Sequence, residues 1–325
     1  MNGCSADNNG RMPERIMKRL RIPLIAAPML NVSGPELVIG ACQAGVIGAF
    51  PTANARTIDE LESWLVAIKR NTTGVGSAPF CPNLIIRQPR MRDDLARIIR
   101  HNAEMVITSV GSPAEVVMPL HDVGCLVFAD VATLRHAEKA IAVGVDGLIL
   151  LTAGAGGQTG WLNPFSFVRA VRKIFDGPIV LAGGISDGAS LWSAQVLGCD
   201  LAYMGTKFIA TAESRADDQY KKMLVESTID DVVLTSAFTG LRTNMLLPSI
   251  LAAGFDPSKL DEQITVPEAT EMYGGKTSSG GPKRWRDIWS AGHTVSGVQK
   301  IQSAADLVGQ TLIEFNEARE ATLKM

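Results

Sequence analysis

Short apolar runs alternate with helical patterns along most of this chain, and that alternation limits the folds that the chain can adopt. Apolar runs of this length between helical patterns are typical of parallel β-strands connected by helices. Eight such strands are the number that closes a (β/α)8 barrel. The sequence therefore predicts an α/β fold, a TIM barrel, with strands at Ile22–Ala27, Val46–Phe50, Phe80–Ile86, Met105–Val110, Cys125–Val131, Gly147–Thr152, Ile179–Ala182 and Leu201–Met204.

Residues that favour the beginning or the end of a helix lie at the boundaries of the predicted helices. Gly45 follows the predicted helix Pro35–Ala44, and glycine readily adopts the left-handed conformation that ends helices. Thr57 begins another helix, and the carboxylate of Glu60, three residues on, could reach back to the Thr57 amide. The other barrel helices are predicted at Met91–Ala103, Pro113–Val123, Thr133 to Gly144, Pro164–Ile174 and Asp187 to Leu197.

The repeating pattern ends after the eighth predicted strand. Residues 213–284 show helical patterns without strands between them, and they end in a glycine- and serine-rich stretch typical of a flexible connector. A final amphipathic helix from about Ser296 to Leu323 could close the barrel. We therefore predict a barrel of residues 1–212 and 285–325, with a mainly helical inserted domain, residues 213–284, that covers the barrel mouth.

Charge and composition exclude several classes of function. The 325 residues carry a formal net charge of −2, which argues against a basic nucleic-acid surface and against a polybasic membrane anchor. The segment Met1–Arg21 is polar without an apolar core, so we expect a loose tail rather than a secretory signal. No apolar run reaches the ~18 residues of a membrane span. Five scattered cysteines without a CxxC pair indicate neither a metal site nor disulfides, and the expected location is the cytoplasm.

Two glycine-containing loops follow neighbouring strands, the seventh and the eighth. Gly183 and Gly184 end one strand, and Gly205 and Thr206 end the next. In this fold the loops after strands seven and eight frequently form a phosphate site, because their backbone amides can approach the anion. The Thr206 hydroxyl could also donate to a phosphate oxygen. Two ordinary tight turns are the alternative, and the coincidence of both loops favours a phosphate site.

A longer glycine-rich loop, Thr152–Trp161, follows the sixth strand. It is not a dinucleotide fingerprint, because a GxGxxG pattern that starts at Gly154 has Thr159 where the third glycine is needed. Its glycines would let a flat ring lie against the backbone, with the Gln158 amide directed towards the ring. A merely flexible loop is the alternative.

Three other segments contribute candidate site residues. Ala26, Ala27 and Met29 end the first strand beside a proline and could form a ledge for a ring. Asn83 could bond a ring edge from the third strand, and a buried, locally satisfied asparagine is the alternative. His293 could face the site, whereas the histidines at positions 101, 121 and 136 are expected in solvent or as partners of helix dipoles.

Taken together, five segments of this chain resemble the nitronate monooxygenase family, formerly called 2-nitropropane dioxygenases. The resemblance runs from about Ile22 to Gly292. The segments are Ala27-Pro28-Met29, the loop Ala153–Gly160, Leu181-Ala182-Gly183-Gly184, Met204-Gly205-Thr206-Lys207-Phe208 and Ile288-Trp289-Ser290-Ala291-Gly292.

The resemblance implies a barrel enzyme with one non-covalent FMN and an inserted helical domain after strand eight. By position, Ala26, Ala27 and Met29 would flank the isoalloxazine and Asn83 would bond it. The remaining cofactor residues implied by the family are Gly157 in the glycine-rich loop, Gly183, Gly184, Gly205 and Thr206 at the phosphate, and Trp289, Ser290 and Gly292 around the pocket.

One position departs from the family pattern. Gln158 stands where the family usually carries a histidine that acts as the general base, and an amide cannot remove a proton near neutral pH. Gln158 can still donate a hydrogen bond to a nitro, nitronate or carbonyl oxygen. Gln158 and His293 are therefore the two candidate catalytic residues.

The resemblance leaves three functions open. The first is oxidation of an already anionic alkyl nitronate, a small-molecule substrate, with O2. The second is an NAD(P)H-dependent flavin reductase of an enone, enoyl thioester or quinone, and the third is a flavin-binding protein without turnover. We expect no nucleic-acid or membrane partner, and the chain could form a homo-oligomer.

Overall fold

Eight parallel strands close into a barrel, which confirms the predicted TIM-barrel fold. A computed structural model describes residues 11–73, 76–274 and 281–324. The barrel strands begin and end within two residues of their predicted bounds. They are β1 (Leu24–Ala26), β2 (Ile47–Pro51), β3 (Phe80–Ile85), β4 (Met105–Ser109), β5 (Leu126–Val131), β6 (Gly147–Leu151), β8 (Ile179–Ala182) and β9 (Leu201–Met204), while β7 (Gly157–Gln158) lies outside the barrel.

Each barrel strand is buried on both faces, because successive side chains point alternately into the barrel and towards the helices around it. Ile47, Phe128 and Ile149 are fully buried in the cluster inside the barrel. Phe50 and Leu150, on the same strands as two of these, are fully buried in the cluster that packs against the helices. This burial explains why the strands appear in the sequence as continuous apolar runs rather than as alternating ones.

Helices follow the barrel strands as predicted. Thr57 begins α3 by accepting from the Glu60 amide at 3.1 Å, but the Glu60 carboxylate accepts from the Arg56 amide at 2.7 Å, not from the predicted Thr57 amide. Asp187 begins α8 by accepting from the Ser190 amide at 2.7 Å. The first eight helices are α1 (Glu14–Met17), α2 (Pro35–Ala44), α3 (Ile58–Thr72), α4 (Met91–Arg100), α5 (Ala114–His121), α6 (Leu134–Ala142), α7 (Pro164–Val171) and α8 (Gly188–Leu197).

From residue 11 onwards, the segment before the first strand packs against the barrel and is not the expected loose tail. Met12 and Ile16 are buried in the cluster inside the barrel. Arg15 and Arg19 each form an ion pair with Glu104, at 3.1 and 2.6 Å. The apolar residues are spaced at helical positions between arginines, so the segment looked polar although one face of it is buried.

The region after β9 contains strands as well as helices. Strands β10 (Val232–Thr235) and β11 (Thr243–Leu246) pair antiparallel, and β11 also pairs with β7 in the glycine-rich loop. The prediction of a mainly helical region did not include this three-stranded sheet, because its third strand comes from a distant part of the chain. The helices of this region and the last helix are α9 (Thr206–Ile209), α10 (Asp218–Glu226), α11 (Leu247–Ala252), α12 (Val266–Tyr273) and α13 (Ala304–Leu323).

The division of the chain into a barrel and an inserted domain stays a prediction. Most of the expected flexible connector, residues 275–280, lies outside the described residues.

The final helix begins at Ala304, later than predicted, because a 3-10 turn at His293–Gly297 precedes it. Helix α13 packs against α2 and α8. Helices α8 and α13 approach so closely that a Cβ on Gly188 would overlap the Phe315 backbone nitrogen. Because α13 fills the space between α8 and α2, it completes the ring of helices around the barrel.

Across the three described ranges, no helix is long and apolar enough to cross a membrane.

Candidate active site

A cavity of about 440 Å³ opens at the carboxyl ends of the barrel strands, where the active sites of TIM barrels form. Its volume lies within the range of about 300–1,000 Å³ that is usual for small-molecule and cofactor sites. Most of the residues predicted for the site line this cavity. They are Ala27, Met29, Asn83, Gly157, Gln158, Gly183, Gly184, Gly205, Thr206, Trp289 and Ser290.

Three predicted site residues do not line the cavity. The Ala26 side chain packs outward among residues that face the helices. Gly292 lies behind the wall, where its amide donates to the Thr206 Oγ1 at 3.0 Å. His293 is exposed; its amide donates to the Gly154 oxygen at 2.9 Å, and its ring packs against Gly154, where an added Cβ would lie 2.8 Å from Nδ1. His293 begins the 3-10 turn that follows the wall segment, and its ring lies beside the glycine-rich loop without lining the cavity.

The loops after β8 and β9 leave room for an anion. Gly183 and Gly184 both have positive φ, 115° and 80°, which L side chains rarely adopt. Around Gly184 the space is open, since no heavy atom lies within 4 Å of the place a Cβ would occupy. Thr206 accepts from Gly292, so its hydroxyl proton is free to donate. Bare amides and one hydroxyl at adjacent strand ends fit a phosphate group.

The glycine-rich loop is held on several sides, so it is not merely flexible. Gly156 packs against Gly292 backbone to backbone, and a Cβ on Gly156 would lie 2.7 Å from the Gly292 nitrogen. The buried Asn244 on β11 donates to the Ala155 oxygen at 2.7 Å. Pairing of β7 with β11 fixes the end of the loop. These contacts hold Gln158 at the cavity wall.

Gln158 pairs with Thr243 across the β7–β11 ladder, and its side chain is exposed at the cavity wall. No histidine or lysine is among the described residues that line the cavity. The described wall beside Gln158 therefore carries no histidine or lysine that could act as a base near neutral pH.

Two polar residues at the bottom of the cavity were missed by the sequence analysis. Asp130 on β5 and Tyr203 on β9 both line it. Burial raises the pKa of Asp130 to about 7. Burial also raises the pKa of Tyr203 well above its usual value, and the charge of Asp130 adds to that shift. A signal existed for Asp130, since it is the single charged residue in an otherwise apolar strand.

Tyr220 on α10 was also missed, and it supports the wall formed by Trp289 and Ser290. Its ring stacks on Trp289 with centroids 5.0 Å apart and planes 9° from parallel. Its hydroxyl donates to the Ser290 oxygen. Trp289 donates from Nε1 to the Arg286 oxygen at 2.8 Å. The aromatic pair therefore fixes the segment that carries Trp289 and Ser290 along the cavity.

Arg284 is a further missed residue that lines the cavity. Its guanidinium donates to the Phe238 oxygen at 3.2 Å and to the Thr270 Oγ1 at 3.1 Å, and it forms no ion pair with a carboxylate of the described chain. Burial lowers the pKa of Arg284. The next residue, Trp285, has a φ of 65° and lies beside Gly157. Arg284 thus gives the cavity a cation with spare N–H donors near the glycine-rich loop.

The remaining histidines lie away from this cavity. His101 and His121 stand at helix ends, as expected, and each contacts a carboxylate. The His101 Nε2 is 2.9 Å from the Glu62 Oε1, and the His121 Nε2 is 2.8 Å from the Asp146 Oδ2. Within the described parts of the chain, no group of three or more His, Cys, Asp or Glu residues could hold a metal ion.

Comparison with solved structures supports the fold. FabK from Thermotoga maritima superposes with a TM-score of 0.80 at 24% identity, covering 95% of this chain and 97% of that one. A nitroalkane oxidase from Streptomyces ansochromogenes gives a TM-score of 0.76 at 24% identity, covering 94% and 98%. At this identity the likeness shows that the barrel architecture is shared.

Comparison of sequences identifies the family. A nitronate monooxygenase from Paraburkholderia phytofirmans is 26% identical over 349 aligned residues, covering 92% of this chain and 93% of the relative. A Rhodococcus jostii protein named (3aS,4S,5R,7aS)-5-hydroxy-7a-methyl-1-oxo-octahydro-1H-indene-4-carboxyl-CoA dehydrogenase is 28% identical, covering 84% and 80%. The model of the nitronate monooxygenase family matches residues 14–314. The predicted resemblance is thereby confirmed: this chain belongs to the nitronate monooxygenase family of oxidoreductases.

Proposed function

We propose that this protein is an FMN-dependent enzyme that oxidises alkyl nitronates with O2 and takes its substrate as the anion. The observation that carries the proposal is the side chain at position 158. Gln158 stands at the cavity wall, where the family usually has a basic histidine, and an amide cannot accept a proton near neutral pH. A nitronate has already lost its α-proton, so its oxidation needs no base.

The residues at the barrel mouth fit an FMN. Gly183, Gly184, Gly205 and Thr206 would hold the phosphate, because their loops offer amides, open space and one free hydroxyl proton. Bound FMN would supply the electron transfer between substrate and O2. Asn83 accepts from the Ser109 hydroxyl at 3.2 Å, so its NH2 group is left to donate to the cofactor.

Two side chains at the cavity suit an anionic substrate. The Gln158 NH2 group can donate to an oxygen of the nitronate, and the Arg284 guanidinium supplies a positive charge that no carboxylate among the described residues neutralises. A half-buried cation attracts an anion more strongly than an exposed one, because less water screens it. These two residues would bind and orient the substrate without moving a proton.

The test is O2 consumption by the purified yellow protein. We expect turnover with propyl-2-nitronate at neutral pH and much slower turnover with neutral 2-nitropropane. Equal rates with both compounds would contradict the argument from Gln158. If the FMN-loaded protein turns over neither compound, the nitronate proposal is wrong.

A second candidate is an NAD(P)H-dependent reductase of an enone, enoyl thioester or quinone. The relative from Rhodococcus jostii carries a coenzyme A thioester in the name of its substrate, and Arg284 would suit a phosphate or carboxylate of such a molecule. Here hydride would pass from NADH or NADPH through the flavin to the acceptor. Anaerobic mixing with NADH or NADPH separates the candidates, since rapid bleaching of the flavin favours the reductase.

A further inference from the structure

Asp130 and Tyr203 occupy corresponding places on two strands of the barrel. Asp130 stands two residues after Phe128, and Tyr203 stands two residues after Leu201, which both point into the barrel interior. Because side chains alternate along a strand, Asp130 and Tyr203 point into the interior as well. Both line the cavity, so they form its floor beneath the barrel mouth.

Each of these side chains has a polar atom that lacks a partner. The Asp130 Oδ1 and the Tyr203 hydroxyl are shielded from solvent and form no hydrogen bond within the described chain. Ser109 and Asn83, which also line the cavity, are paired with each other, because the Ser109 hydroxyl donates to the Asn83 Oδ1. Unpaired polar atoms cost free energy when they are shielded, and buried polar groups are therefore nearly always paired. Two unpaired atoms that face one cavity indicate that its occupant completes their hydrogen bonds.

Asp130 is the one charged residue in the eight barrel strands. The titratable groups whose charges interact with it are Cys81 on β3 and Tyr203 on β9. Burial raises the pKa of both well above their usual values, so both are neutral near pH 7. Its partner in the β6 ladder is the apolar Ile149. Among the residues that the structure describes, no cation on the cavity floor therefore compensates an ionised Asp130.

We propose that Asp130 is protonated when a flavin is bound, and that Asp130 and Tyr203 donate hydrogen bonds from the cavity floor to acceptor atoms of the isoalloxazine ring. This inference rests on the FMN part of the proposed function. The ring has carbonyl oxygens and unprotonated nitrogens that accept hydrogen bonds. An ionised carboxylate offers only lone pairs to those atoms, whereas a carboxylic acid offers a proton.

The inference makes flavin binding depend on pH in one direction. Burial places the pKa of Asp130 at about 7 in the free protein, and a donated hydrogen bond would raise it further in the complex. Below that pKa the proton is already present, so binding does not change with pH. Above it, each binding event must take up a proton, and the Kd rises by up to about tenfold per pH unit. From about pH 6 to about pH 8.5 the Kd should rise about thirtyfold.

The test is a titration of the full-length protein with riboflavin, followed by quenching of flavin fluorescence over that pH range. Riboflavin is the decisive probe because it lacks the phosphate of FMN, which itself titrates near pH 6. FMN is titrated in parallel. We expect the Kd for riboflavin to rise with pH. A Kd that is constant or that falls with pH would overturn the inference, since a falling Kd would mean that the carboxylate accepts from the ring N–H.

Two variants separate Asp130 from Tyr203. Asp130→Asn keeps a neutral donor at every pH, so the dependence on pH should disappear while binding near pH 6 stays within about threefold of the wild type. Tyr203→Phe removes one donor, so binding should weaken about threefold or more while the dependence on pH remains. Retention of the full dependence on pH in Asp130→Asn would overturn the inference.

The inference and the proposed function fail in different ways. If riboflavin binding depends on pH but the protein does not turn over nitronates, the inference about Asp130 and Tyr203 stands. Only the proposal that nitronates are the substrate is then wrong. Absence of riboflavin and FMN binding at every pH would overturn the inference together with the FMN assignment. If Asp130→Asn fails to fold, the wild-type titration alone decides, because it measures the predicted slope directly.

Discussion

Gly156 and Gly292 contact each other through their backbones, so neither position has room for a side chain. A Cβ on Gly292 would lie 2.7 Å from the Gly154 oxygen and 2.9 Å from the Gly156 nitrogen. This contact joins the glycine-rich loop to the segment that carries Trp289 and Ser290, which form another part of the cavity wall. The two walls of the candidate site are thus fixed relative to each other by the absence of two side chains.

Gly292→Ala should separate these walls. The added methyl group must displace backbone atoms, and overpacking of this kind costs about 1–3 kcal/mol. We expect a lower Tm and weaker FMN binding. Gly309→Ala is the matched control, because Gly309 lies in α13 with open space around its Cβ position. That control should be neutral or more stable by up to about 1 kcal/mol. An unchanged Tm in Gly292→Ala would contradict the close contact.

Gln158→His should restore a base at the cavity wall. If the proposed function is right, activity on neutral 2-nitropropane should rise by about tenfold or more, since general-base catalysis contributes about 10²–10⁴-fold. Gln158→Asn is the control, because it keeps an amide and should give no gain. Steady-state O2 consumption with both variants checks this prediction. No gain in a folded, FMN-loaded histidine variant would count against the placement of residue 158 beside the substrate.

Arg284→Met should weaken binding of an anionic substrate. Loss of the unpaired charge is expected to raise KM for the nitronate about tenfold, which corresponds to about 1.4 kcal/mol. Arg286→Met is the matched control, since Arg286 is exposed and pairs with Asp287 instead of lining the cavity. If both substitutions raise KM equally, Arg284 acts only through the net charge of the protein and does not contact the substrate. Circular dichroism of both variants excludes loss of folding as the cause.

Asp130→Asn should stabilise the FMN-free protein at neutral and higher pH. Its folded pKa of about 7 lies above the unfolded value of about 3.9, so the folded state binds more protons between these values. The aspartate therefore costs no stability below about pH 4, and its cost grows as pH rises and is complete above about pH 7. A gain of about 2–4 kcal/mol in the variant above pH 7, absent at pH 4, is the expected result. Urea unfolding at both pH values measures it.

Much of the site was predictable because its parts are local. Gly183, Gly184, Gly205 and Thr206 follow strands whose bounds are read directly from apolar runs, and the fold brings the ends of neighbouring parallel strands together. Gln158 was recognisable within its own loop. These residues line the cavity as expected, while their contacts with FMN stay a prediction.

Other parts of the site depend on contacts that no local pattern reveals. Strand β11 pairs with Gly157 and Gln158, although the two segments are more than eighty residues apart in the chain, so helical periodicity gave no sign of this strand. Asp130 belongs to no motif; it is the single charged residue of its strand, but only the structure shows that its side chain points into the barrel beneath the cavity. His293 follows the wall segment directly, yet one 3-10 turn carries its side chain to the surface.

The pairing of β7 with β11 has a consequence for engineering. A loop of the barrel pairs with a strand of the region after β9, and the Asn244 side chain adds a further hydrogen bond to that loop. A graft that exchanged residues 213–284 for those of another family member would therefore sever the support of the loop that carries Gln158. Chimeras should exchange the glycine-rich loop together with the region after β9.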